Sequence, residues 1–115
     1  MPELDGKLDG FAVRVPTVNV SLVDLTVETE SDVSIESIHD SVRSAAQGSL
    51  EGILAFNDKP LVSVDFNHPS VSSVFEASTT RVVGERAAKV CCWYDSEWAF
   101  SNRMLDTTAA FMDAS

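Results

Sequence analysis

The chain has 115 residues, enough for one hydrophobic core and too few for two domains. With 18 acidic against 8 basic side chains its formal net charge is −10, which excludes nucleic-acid binders and docking on anionic lipid, both of which need clustered Lys and Arg. Hydrophobic content of 44% excludes wholesale disorder, and no apolar run reaches the roughly 18 residues of a membrane span.

Taken in order, residues 4–10 are turn-rich, with two Asp-Gly punctuations. Residues 11–15 alternate, Phe11, Val13 and Val15 against Ala12 and Arg14, and predict a strand ended by Pro16. Residues 18–28 predict a second strand whose apolar parity switches midway, as at a bulge or under burial on both sides. Ser34 and its neighbours offer caps for a helix carrying the stripe Ile35, Ile38, Val42 and Ala45, with Gly48 placed as its terminating glycine. His39 reads as a solvent-facing residue of that helix.

Short strands are expected over residues 53–56, 61–66, 72–76 and 79–83, with His68 in a solvated loop. Gly84-Glu85-Arg86 predicts a hairpin turn into a strand over 87–94, which breaks at Asp95-Ser96 into a helix over about 97–113. That helix repeats Trp98, Leu105, Ala109 and Met112 along one stripe. The expected fold is one α+β domain over residues 1–115, a largely antiparallel sheet with two helices on one face and an exposed edge or patch that calls for a partner.

The only cysteines, Cys91 and Cys92, are adjacent in a strand and point to opposite faces, so they form no disulfide framework. Neither has a basic neighbour to activate it, and buried structural thiols are the expectation. No group of residues has metal-ligand spacing. With no basic and apolar leader after Met1, a reduced cytoplasmic setting is expected.

The segments also resemble a family. Lys7-Leu8-Asp9-Gly10-Phe11-Ala12-Val13-Arg14-Val15-Pro16-Thr17 is similar to the KLxGxAxRVPT stretch of the glyceraldehyde-3-phosphate dehydrogenase family, Asn19-Val20-Ser21 to its NVS, and Trp93-Tyr94-Asp95-Ser96-Glu97-Trp98-Ala99-Phe100-Ser101-Asn102-Arg103 to its WYDNEWGYSNR signature. Residues 61–68, 80–82 and 103–108 resemble the erythrose-4-phosphate dehydrogenase subgroup. The resemblance implies the C-terminal part of a catalytic domain from a tetrameric, NAD-dependent enzyme acting on a phosphorylated sugar aldehyde. Neither the family's SCTTN setting for the nucleophilic cysteine nor a GxGxxG motif is present, so a fragment without the NAD-binding Rossmann domain, inactive alone, is expected. A non-catalytic interaction or oligomerisation module derived from the enzyme is the alternative.

Carried over by position, Arg14 matches the family's phosphate-contacting arginine; its forked, permanent charge suits that task, as it would a surface ion pair. Ser96 stands where the family has an asparagine that holds the nicotinamide carboxamide. Serine lacks an amide's paired donor and acceptor, so simple helix capping competes with cofactor contact there. Phe100 matches an aromatic beside the nicotinamide, with helix core as the other reading. No catalytic residue and no metal ligand carries over.

Overall fold

The computed structural model describes residues 2–114. Its centre is a four-stranded sheet built from β1 (Ser21–Glu28), β2 (Leu54–Asn57), β3 (Ser73–Val83) and β4 (Ala87–Tyr94), in the spatial order β1-β4-β3-β2. β4 runs antiparallel to β1 and to β3, and the short β2 lies parallel to β3. Two helices complete it: α1 (Ile35–Ala46) between β1 and β2, and α2 (Ser96–Asp113) directly after β4. The α+β class with a largely antiparallel sheet is as the sequence implied. Among the described residues no helix is long and apolar enough to cross a membrane.

Local chemistry sets the boundaries. Ser34 caps α1: its hydroxyl accepts from the Ser37 N–H at 3.0 Å, while the Ser37 hydroxyl accepts from the Ser34 N–H at 2.9 Å. The β3–β4 hairpin turns at Gly84, whose φ of 64° suits a residue without Cβ. Gly48 follows the cap residue Gln47 at the other end of α1; a Cβ there would sit 3.0 Å from the Ser44 carbonyl oxygen, so close approach rather than turn conformation asks for glycine.

One face of the sheet meets α1. Phe56 and Phe75 stack at 5.6 Å, and the His39 ring stands edge-on to both at 5.5 and 5.8 Å. His39 Nε2 lies 3.0 Å from the hydroxyl of buried Thr80, and the Arg43 guanidinium covers the Phe56 ring at 4.2 Å. The expectation that His39 faces solvent is therefore corrected. It lies between half-buried Ile38 and Val42 on the packed side of α1, and a count of apolar residues alone passed over it.

The opposite face holds the buried cluster Val20, Phe66 and Val74, backed by Ala55, Val71 and Trp93. Phe66 stacks on Trp93 at 5.4 Å. Phe66 arrives there from a 3-10 turn over Ser63–Phe66, not from the strand expected over 61–66. The Asp65 carboxylate accepts the Val62 N–H at 2.9 Å and curls the backbone, so Val62 and Val64 stay exposed while Phe66 turns inward.

Three more expectations change. The two strands anticipated over 72–83 are one, β3, with a register irregularity between Glu76 and Arg81 where Ser78 and Thr79 hydrogen-bond back to Glu76. Residues 11–15 pair with no strand, and Phe11 is 92% exposed: alternation marks a face to be covered, and no described neighbour covers it. The stripe on α2 is likewise outward, with Leu105 and Met112 exposed. Buried Ala99 and half-buried Arg103, one turn apart, hold α2 instead: Arg103 donates to the carbonyls of Gly52 at 3.0 Å and Ser70 at 3.3 Å, and pairs with Asp106 at 2.7 Å.

Phe75→Ala should cost about 3–5 kcal/mol in urea unfolding followed by circular dichroism, as expected for emptying a buried aromatic site. Phe11→Ala, at an exposed position, should stay within about 0.5 kcal/mol of wild type.

Candidate functional site

Residues 8–20 form an irregular arm that enters the sheet at Ser21. The arm carries Arg14, exposed and without a hydrogen bond or ion pair to any described residue. At its inner end Asn19 and Val20 reach the junction between β4 and α2. There Asp95, 1% exposed, is the hub.

Asp95 caps α2 by accepting the Trp98 N–H at 3.1 Å on Oδ1. Its Oδ2 accepts the Asn19 side-chain amide at 2.8 Å and the His68 N–H at 3.0 Å. Asn19 also donates to the Asn67 side-chain carbonyl at 2.8 Å, so arm, loop and helix meet at one carboxylate. The two non-glycine residues with left-handed backbone among those described, Val20 (φ 68°) and His68 (φ 59°), both border this hub. Such a conformation is uncommon, and for β-branched valine it is strained.

The charge is well supported. The His68 N–H holds the Asp95 carboxyl below the ordinary aspartate range; burial opposes this, and the Trp98 N–H, the Asn19 amide and the His68 charge add to it.

Ser96 is the first residue of α2 and Phe100 lies one turn on, so both share a face; both are exposed, Phe100 by 66%. Asp95, not Ser96, caps the helix, which leaves the Ser96 hydroxyl outside that role. Beside them an open groove of about 380 Å³ runs between arm and helix, lined by Val18, Asn19, His68, Asp95, Trp98 and Ser101 among others. The His68 and Trp98 rings lie 4.9 Å apart along it. The structure thus brings the base of the arm against the first turns of α2, while no contact joins Arg14 itself to Ser96 or Phe100.

The thiols fit structural roles. Cys91 is buried, and burial pushes the half-buried Cys92 thiol up, away from the reactive thiolate. Among the described residues no three His, Cys, Asp or Glu side chains are grouped to hold a metal ion. Glu76, 3% exposed, accepts from Asn57 at 2.7 Å and from the Ser78 hydroxyl at 2.6 Å, tying β2 to the irregular stretch of β3. Sequence reasoning found no pairing signal at Glu76, placed His68 in a solvated loop, where it is, without seeing its backbone N–H donate to Asp95, and saw Asp95 only as a cap. The cap signal at Asp95 beside an aromatic strand was the one trace of the hub.

Comparison with known sequences assigns residues 1–96 to the family described as glyceraldehyde 3-phosphate dehydrogenase, C-terminal domain. The chain belongs to this family. A chromosomal glyceraldehyde-3-phosphate dehydrogenase of Cupriavidus necator is 57% identical over 114 residues, covering 99% of this chain and 34% of the relative. The dehydrogenase of Pseudomonas aeruginosa is 54% identical over 114 residues, 99% of the chain and 33% of the relative. That of Geobacillus stearothermophilus is 48% identical over 109 residues, 95% and 32% respectively. The chain therefore spans about a third of the length of the curated relatives it matches.

Because the folded pKa of Asp95 lies below its unfolded value of about 3.9, the carboxylate stabilises the fold above that value, and the contribution is lost as pH falls through the folded pKa. Asp95→Asn should lower the urea midpoint at neutral pH. The gap to wild type should narrow as the pH falls through the lowered folded value.

Proposed function

We propose that this chain supplies the substrate-phosphate and nicotinamide side of the catalytic domain of an NAD-dependent, tetrameric dehydrogenase of phosphorylated aldehydes, working in the cytoplasm. The observation that carries the reading is Arg14: a permanent cation, exposed and unpaired among the described residues, held out on the RVPT arm. A guanidinium without a carboxylate partner is free to fork onto phosphate oxygens.

Ser96 and Phe100 fit a nicotinamide in a limited way. The hydroxyl offers one hydrogen bond to a carboxamide, and the exposed ring offers a flat apolar face one turn away. Bound NAD would supply the acceptor for hydride leaving the aldehyde carbon. Arg14 would anchor the substrate's phosphate end, and Ser96 with Phe100 would orient the cofactor edge. The nucleophile and base are left to the remainder of the enzyme, because Cys91 and Cys92 are held as sheet-bound thiols.

Two substrates suit this site. The names of the relatives favour glyceraldehyde 3-phosphate. The wording of residues 61–68 and 103–108 favours erythrose 4-phosphate, one carbon longer. The reading of a non-catalytic oligomerisation module draws on the exposed apolar side chains Leu105 and Met112 of α2. It predicts association without turnover.

The 115-residue chain alone should give no NADH from either aldehyde phosphate with NAD and inorganic phosphate. Joined to the other two thirds of the Cupriavidus necator relative, it should form an active tetramer. In that enzyme Arg14→Leu should raise KM for the aldehyde phosphate roughly tenfold or more and spare unphosphorylated glyceraldehyde, as loss of a charged hydrogen-bond partner implies. A soluble, tetrameric but inactive fusion would favour the module instead.

A further inference from the structure

Phosphate grip and cofactor contact stand on different pieces of chain. Arg14 rides an arm without regular hydrogen bonding, and Ser96 starts a helix. For one substrate to be held at its phosphate and meet the cofactor at its aldehyde, these pieces must keep a fixed relation. The described contact between them that uses charge is the one at Asp95. We propose that Asp95, with Asn19, is a positioning residue: its buried carboxylate clamps the base of the Arg14 arm to the first turn of α2 and so sets the geometry between phosphate and nicotinamide. This rests on the function proposed above.

Three features carry it. The clamp is fully donated, by an arm side chain, a loop N–H and a helix N–H, and an anion so satisfied resists displacement. It is out of water, at 1% exposure, where such bonds are strongest. Left-handed Val20 immediately follows the arm's donor, and left-handed His68 is the loop's donor. Strained backbone persists only where its surroundings hold it, and here the hub and the cluster around buried Val20 do so. Asp95 touches neither ligand in this scheme; it acts through Asn19 and Ser96.

The test uses the joined, full-length enzyme with Asn19→Ala, Asn19→Asp and Asp95→Asn. Aldehyde kinetics are read with phosphorylated and unphosphorylated glyceraldehyde, and NAD binding by quenching of tryptophan emission, which needs no turnover. Asn19→Ala should weaken both aldehyde-phosphate KM and NAD Kd together by about tenfold, the size of one hydrogen bond to a charged group. Asn19→Asp, which sets two carboxylates together, should weaken both further. Arg14→Leu should move only the phosphate-dependent term. Variants that merely unfold more easily, with both constants unchanged in the folded fraction, would overturn the clamp. If Asp95→Asn does not fold, Asn19→Ala, which leaves both N–H donors in place, carries the test. An Arg14→Leu enzyme that still prefers the phosphorylated aldehyde would sink the functional reading instead, while the NAD measurement would still report on Asp95.

Discussion

A single buried carboxylate governs how this domain is put together. Asp95 closes β4, starts α2 and receives the arm and the loop before β3. A buried anion must be answered on all sides, so each segment that supplies a donor is fixed in place by the same requirement. The apolar cluster of Val20, Phe66 and Val74 sits next to it, one residue from Asn19 and one from Asn67. Apolar burial brings these loops together, and the carboxylate then decides their orientation. Neither alone would hold a valine in left-handed backbone.

Much of this was legible in the sequence, for definite reasons. α1, the Gly84 hairpin, β4 and α2 are local structures, and their signals are local too: Ser34 before a helical stripe, glycine between two strands, Asp95 before Glu97. The errors fall where the outcome depends on a distant neighbour. Alternation over residues 11–15 and 61–66 is real, yet a strand also needs a partner ladder, and the first stretch has none while Asp65 curls the second. His39 was misread because a ring with two polar nitrogens can complete an aromatic cluster once Thr80 meets one of them.

The candidate site divides in the same way. Arg14, Ser96 and Phe100 were found through family wording, and the structure places all three in the open. The hub that relates them joins residues 19, 67, 68 and 95, which no spacing rule connects. Exposed apolar side chains on the arm and on α2 lie on the elements that carry these residues. Surfaces of that kind are the ones a partner surface commonly covers.

The strand order also separates local from distant pairing. β3 and β4 are joined by a tight turn, whereas β1 meets β4 only after the chain has passed through α1, β2 and β3, as the Asp24–Lys89 pair, 65 residues apart, shows. The arm precedes β1, so its contact with Asp95 belongs to the same long-range closure. The hairpin can form with its acidic cap waiting for the donor on the Arg14 arm. A chain caught before that step would carry the β3–β4 hairpin with an unanswered carboxylate at its end, so the Asn19–Asp95 hydrogen bond marks a completed polar framework.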